Sequence, residues 1–343
     1  MSPPKHKQTG LSLVELMVAL VVGLILVAGV IELFTNNRQV YRMQDAQSRL
    51  QESGRYAMQF LTDSIEKAGY LGCATRSDVI LNNTLNGSST FLWDFSRPLE
   101  GNEASGNNQW TPTLDASITS ALGGSDTITV RTVDSPEMRV DIHPASSPPG
   151  ESAIVVHSGT HLRQGDIVLA HNCVAAAVFQ ITSSDAQAHG GTLAHAAGGA
   201  SNPGNATAAL GYHFGDGWIN RLSTNSFYIR NNPAGIPSLY RKTFNQAAEE
   251  LVEGIEQMQI TYGVDTTGDG SADEYRAADT VGNWNNVVSV RISLLAVSLQ
   301  DNLTVDGPQG YFFNGQQVAP EEVGDRRLRR VFSRTIALRN RVL

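Results

Sequence analysis

From residue 11 to residue 31 the chain is apolar at almost every position, and from there to about residue 68 the apolar residues recur at every third or fourth place. The first pattern predicts a helix bathed in lipid, the second an amphipathic helix with one face on a protein core. Residues 11–31 as helix reach about 32 Å, enough for a hydrocarbon layer of about 30 Å. In the second stretch Met43, Ala46, Leu50, Ala57, Phe60, Leu61, Ile65 and Ala68 share a face, while Arg49, Glu52, Arg55, Gln59, Asp63 and Glu66 lie elsewhere around it. No proline occurs between Pro4 and Pro98, so one long helix over 11–72 is expected, membrane-spanning over 11–33. Gly23, Gly29 and Gly54 each weaken such a helix by about 1 kcal/mol.

After residue 72 the period changes. The runs 126–133, 152–158, 165–171, 176–182, 226–231, 256–264 and 287–299 are rich in β-branched and aromatic residues and are separated by Gly, Asn, Asp and Pro. The expected fold is α+β: an antiparallel sheet packed on the inner half of the helix, with further β-hairpins forming a second lobe, all within residues 73–343. Segments 82–125 and 186–225, rich in Asn, Ser, Gly and Ala, read as surface loops.

One residue breaks the first pattern. Glu15 lies inside the apolar stretch, and an ionised carboxylate at mid-bilayer costs about 2.5 to 3.5 kcal/mol, so it calls for a partner. Residues 1–10, MSPPKHKQTG, carry Lys5 and Lys7 and no acid, which places the N-terminus in the cytoplasm and sends the remainder across the membrane. The apolar run is too long for a secretory signal peptide. Removal of the leader after Gly10 would give Leu11 a free amine, and a neighbouring helix shifted along its axis could set that amine against Glu15. A buried charge pair is strongly preferred to a buried single charge, so the glutamate would fix the register of assembly. The plainer alternative is an acid tolerated near the headgroups.

Gly10, Leu11, Ser12, Leu13, Val14, Glu15, Leu16 and Met17 resemble the processing signal of type IV pilins and pseudopilins, in which a prepilin peptidase cleaves after the glycine and methylates the next residue. Here that residue is Leu11, where phenylalanine is usual. GRYAMQFLTDSIEKAGYLGC (54–73), GDIVLAHNCVAAAVFQIT (165–182), QITYGVDTTGDG (259–270) and RRVFSRTIALRNR (329–341) resemble the PilW family of minor pilins. The resemblance implies a non-enzymatic subunit that joins other minor pilins and the major pilin in a complex priming pilus assembly, with an adhesin at the tip. It also implies residence first in the inner membrane, as a single-pass protein with its globular part in the periplasm, and then in a fibre serving twitching, adhesion or DNA uptake. A minor pseudopilin of type II secretion shares the N-terminal features. A membrane-anchored enzyme or calcium-dependent binding module is the alternative from another class.

Charge narrows the partners. The net charge is −8, but all 33 acids precede residue 326, and the first 325 residues hold 18 lysines and arginines, a net −15. Such a body repels nucleic acid. The arginines Arg326, Arg327, Arg329, Arg330, Arg334, Arg339 and Arg341 crowd the last stretch, as a DNA-contacting stripe or, more simply, as a final strand that neutralises the acidic body or meets an acidic partner subunit. Cys73 and Cys173 follow the membrane segment into an oxidising compartment, where a disulfide is the natural state; closing that loop contributes up to about 4.7 kcal/mol in the chain-entropy account. Two buried unpaired thiols are the alternative.

Candidate chemistry is sparse. Asp265, Asp269 and Asp273, with Gly270 between them, fall at positions 1, 5, 9 and 6 of a calcium loop, but positions 3 and 12 hold Thr267 and Arg276. A hairpin turn uses the same residues for their tolerance of positive φ. His157, His161 and His171 are close in sequence without a zinc spacing. Ser64 and Lys67 fit S-x-x-K, yet Arg241-Lys242-Thr243 does not complete the set of penicillin-recognising enzymes. No G-x-S-x-G or H-E-x-x-H motif occurs.

Overall fold

The computed structural model describes residues 12–70, 80–106, 108–134, 136–157, 161–183, 191–198 and 202–340. Helix α1 (Leu13–Ile65) opens the chain and is about 80 Å long at 1.5 Å per residue. It ends earlier than the expected residue 72. Ala68 N–H donates to the Ile65 carbonyl, and Gly69, at φ 71°, turns the chain away in the left-handed region that glycine occupies freely. The strands that follow are β1 (Ile80–Asn83), β2 (Leu99–Ala104), β3 (Trp110–Thr111), β4 (Thr127–Val133), β5 (Met138–Ile142), β6 (Ile154–Val156), β7 (Ile167–His171), β8 (Ala175–Gln180) and β9 (Thr192–Leu193). They continue with β10 (Trp218–Asn231), β11 (Pro237–Thr243), β12 (Glu249–Glu253), β13 (Ile255–Val264), β14 (Glu274–Arg276), β15 (Val287–Val297), β16 (Tyr311–Phe313), β17 (Gln316–Val318) and β18 (Arg329–Ala337). A short α2 (Pro320–Val323) precedes the last strand.

The α+β expectation holds. The inner half of α1 lies on an antiparallel sheet ordered β14-β13-β15-β18 and on strands of a larger sheet, whose main path is β1-β8-β7-β10-β4-β2-β3. Across the smaller sheet Tyr262, Val290 and Ile336 align, as do Met258, Leu294 and Phe332, so one face of three strands is presented together. Leu50, Ala57, Leu61, Ile65 and Ala68 enter the same core as Met258, Val290 and Ile336. A second core, around Val140, Ile154, Phe179, Leu193, Phe214 and Ile219, fills the expected second lobe.

Three details differ from the pattern-based reading. Pairing is not wholly antiparallel: β1 runs parallel to β8. The buried face of α1 holds Met58 and Gly54, whereas Met43 and Phe60 stay exposed. Segments 82–125 and 186–225 are more than surface loops, since they supply β2, the start of β10 and the buried Trp93, Phe95, Leu210 and Phe214.

Candidate assembly interface along the N-terminal helix

Ser12 caps α1, and the cap is reciprocal. Its hydroxyl accepts from Glu15 N–H at 3.2 Å, while its own N–H donates to Glu15 Oε2 at 3.1 Å. The S-x-x-E spacing of Ser12, Leu13, Val14 and Glu15 carries this capping box, a pattern visible in the sequence that the pairing argument for Glu15 did not use. Glu15 is thus held locally in the single subunit, its carboxylate exposed and within one turn of the helix start. Gly10 and Leu11, the expected cleavage and methylation residues, lie outside the described residues.

Beyond the cap the helix is bare. Its most apolar window has a mean hydropathy of 2.8 and no residue buried by the rest of the molecule. Leu13, Leu16, Leu24, Ile25, Leu26, Ile31 and Phe34 are each more than half exposed, an apolar column that water does not tolerate and that lipid or other helices would cover. The space around Gly23 and Gly29 is open. Contact with the globular part starts at Gln39, whose amide donates to the carbonyls of Asn302 and Leu303 at 3.1 and 3.0 Å. From there the helix is clamped. The Phe332 ring of β18 lies against Gly54, where any Cβ would collide with it, so this glycine is required by a close approach. Arg339 meets Glu66 at 3.0 Å, and Asn340 donates to the Ala68 carbonyl at 3.2 Å.

The terminal arginines divide between faces. Arg329, largely buried, is held by Glu256 and Asp325, each at 2.7 Å, and lies over Tyr311. The same guanidinium holds the Asp325 carboxyl below its usual range. Arg330 and Arg334 occupy the opposite face of the strand, with Arg330 over Phe332. On the final strand Arg329 thus neutralises two acids of the body, and Arg339 just past it a third. Arg341 lies outside the described residues.

Asp265, Asp269 and Asp273 sit in the connection between β13 and β14, an antiparallel hairpin. Their oxygens are turned inward on the loop's own backbone. Asp265 accepts from Gly268 N–H at 2.6 Å and Gly270 N–H at 2.8 Å, Asp273 accepts from Thr266 N–H at 2.7 Å, and Asp269 from Ser271 N–H at 2.8 Å. The Gly270 and Gly268 amides pull the Asp265 carboxyl below the ordinary range, and the Thr266 hydroxyl, which donates to Asp273 at 2.8 Å, together with the Thr266 amide does the same for Asp273. Among the described residues no group of three His, Cys, Asp or Glu side chains converges.

The histidines do not meet either. His171 is buried with Nε2 2.8 Å from Asn220 Oδ1, while His157 is exposed near Asp141 and His161 is exposed. Ser64 stands in the last turn of α1, and Lys67 beyond it is exposed; Arg241 and Lys242 on β11 are engaged by Glu249 and the Gln246 carbonyl. Cys173 occupies the tight turn between β7 and β8, where the Asn172 side chain accepts from the N–H groups of Val174 and Ala175. Cys73 lies outside the described residues.

An apolar helix that starts in a capped glutamate, runs bare for its outer half and is clamped to a β domain by its inner half has the build of a type IV pilin. Residues 5–31 match the prokaryotic N-terminal methylation motif, which marks a membrane-anchored chain associated with the pilus. Residues 226–340, from within β10 to just past β18, match the family model of type IV pilus-assembly protein W. Together the two matches support a PilW-type minor pilin with a class III prepilin signal. No curated protein and no solved structure matches it.

Proposed function

We propose that the chain is a minor pilin of the complex that primes type IV pilus assembly, joined there to other minor pilins and the major pilin and carrying an adhesin at the tip. Prepilin peptidase removes residues 1–10 and methylates Leu11. The new amine of one subunit then pairs with Glu15 of the next, drawing that carboxylate away from its own Ser12 cap. The observation that carries this reading is the uncovered apolar outer half of α1, which no part of the described globular domain shields. Before assembly the helix anchors the chain in the inner membrane, N-terminus cytoplasmic and β domain periplasmic, and there Cys73 and Cys173 form a disulfide. The match over residues 226–340 favours the pilus over a type II secretion pseudopilin. The subunit acts by binding and templating and uses no cofactor; the turn at Asp265 is closed by its own amides, so added calcium should leave the melting temperature of the full chain unchanged.

The decisive experiment combines mass spectrometry of the N-terminus of cell-derived protein with replacement of Glu15. A mature chain beginning at methylated Leu11, and loss of surface pili in Glu15→Ala with the protein still present in the membrane, are expected. Retention of residues 1–10, or normal piliation of the variant, overturns the reading.

A further inference from the structure

Strand β18 closes one side of the smaller sheet and pairs with β15 alone. It is nine residues long, and among the described residues no other strand at a sheet edge exceeds five. Neither proline nor bulge interrupts it from Arg329 to Ala337. Leu338 N–H donates to the Val288 carbonyl at 2.9 Å and Ser298 N–H to the Leu328 carbonyl at 2.8 Å, so the even-numbered residues of the strand turn their backbone groups to β15. Val331, Ser333 and Thr335 turn theirs outward. All three are exposed, and no described group takes up those amides and carbonyls. Such an edge is a template for a further strand.

Beside this edge lies an open groove of about 510 Å³, with Arg55, Met58, Gln59 and Asp63 of α1 on one wall and Phe332 and Arg334 of β18 on the other. An added strand would continue the sheet over the groove and lower every second side chain into it. On the α1 side of β18 the side chains run Arg330, Phe332, Arg334 and the buried Ile336. Toward an added antiparallel strand these even-numbered positions form the pairs without hydrogen bonds, where opposed side chains come closest. Arg55, Arg330 and Arg334 have no carboxylate partner among the described residues. Glu66 is already held by Arg339, which leaves Asp63 as the one unengaged acid of the groove.

Charge selects the occupant. Three unpaired cations beside one acid favour a negative strand, although the body of the molecule is itself acidic. A second copy suits the edge poorly, because antiparallel pairing about Phe332 sets Arg330 of each copy against Arg334 of the other, and like charges directly opposite are destabilising. Duplex DNA would use the arginines but bring phosphates to the outward carbonyls and leave the edge unpaired. We propose that the free edge of β18 takes up an extended acidic segment of a neighbouring pilus subunit as an added strand. Two carboxylates four residues apart would meet Arg330 and Arg334, with an apolar side chain between them on Phe332, and the main-chain bonds would go to Val331, Ser333 and Thr335. The proposal rests on the reading that the chain joins other pilus subunits and adds where one of them docks.

The test is amide hydrogen exchange of the full chain in zwitterionic detergent, with end-capped peptides at up to about 1 mM. The acidic peptide Thr-Glu-Thr-Val-Thr-Glu-Thr should slow exchange at Val331, Ser333 and Thr335 by about tenfold. Its counterpart with lysine for glutamate should not, nor should an acidic peptide N-methylated at the two threonines flanking the valine, which keeps the charge and loses the main-chain donors. The double variant Arg330→Glu, Arg334→Glu alters exposed side chains alone and should exchange the preference, protecting the edge with the lysine peptide and not with the glutamate one. No protection by the acidic peptide, equal protection by both charges or by the methylated peptide, an unchanged preference in the double variant, protection by a short duplex DNA instead, or protection that rises with the concentration of the chain alone overturns the proposal. The readout uses purified chain and no fibre, so its failure leaves the outcome of the Glu15 experiment open.

Discussion

The two halves of α1 are one helix built for two solvents. From Leu13 to about Arg38 it meets nothing in the described molecule, and from Gln39 to Ile65 it is a structural member of the β domain. The outer half should therefore contribute nothing to the stability of the domain and the inner half a great deal, although the outer half is the more hydrophobic. Hydrophobicity decides where a residue goes; packing decides what it stabilises.

Substitutions that hold chemistry fixed and move along the helix test this contrast. Leu61→Ala removes a fully buried side chain and should cost the domain about 2 to 5 kcal/mol, whereas Leu24→Ala, 63% exposed in the wild type, should leave its melting temperature unchanged. Near-ultraviolet circular dichroism of the full chain in detergent reads both, and equal effects would refute the division. Removing Arg329 with Arg329→Ala leaves Glu256 and Asp325 without their shared cation in a largely buried position. A loss of about 2 kcal/mol is expected, less than for a fully buried pair because the carboxylates retain some water. Gly54→Ala forces a methyl into the Phe332 ring, and about 1 to 3 kcal/mol of overpacking should outweigh the better helix propensity of alanine. The double variant Gly54→Ala, Phe332→Leu should recover part of it.

Smallest of all is Ser12→Ala. It removes the cap at a cost of about 1 kcal/mol confined to the first turn, seen as faster amide exchange at Glu15 with no change in the domain. Because Glu15 itself is untouched, pili should still form, which separates the capping role of that carboxylate from its proposed role between subunits.

Acid offers a further contrast, between the two cores. Burial, reinforced by His213 and His195, pushes His143 down to about 4, and burial also lowers His195 and His171. The unfolded chain takes up these protons near pH 6.5 while the native lobe refuses them. Stability from this source is therefore complete above about pH 6.5 and is lost as pH falls toward about 4. His143→Phe should flatten the acid limb of a melting-temperature profile; an unchanged profile would show that these histidines are not responsible.

What the sequence disclosed followed from periodicity. Each of the seven expected runs contains a strand, because β-branched residues between turn formers leave few alternatives, and the helix with its two regimes is plain. The errors share a cause, which is that partners distant in sequence override composition. Residues 82–125 look like loop because Asn, Ser and Gly dominate, yet β2 lies between β4 and β3 and buries Asn102, whose amide donates to the Pro112 carbonyl while its oxygen accepts from Thr127. Gly54 reads as a weakness until Phe332 is seen against it. Phe60 and Met58, two positions apart, exchanged places because helical wheels locate a stripe only to within about one residue on either side. Glu15 stands out as a lone acid in an apolar run, whereas its Ser12 partner is visible only in a spacing of three.

The clasp of Phe332 on Gly54 joins the first element of the chain to the last. A growing polypeptide therefore cannot close this core until β18 has emerged and is free to dock, so closure of the long loop between α1 and β18 precedes any reward from the contact. A copy lacking β18 would retain an intact greasy anchor beside an open seam, exposed to proteolysis, which makes that strand the latch of the architecture.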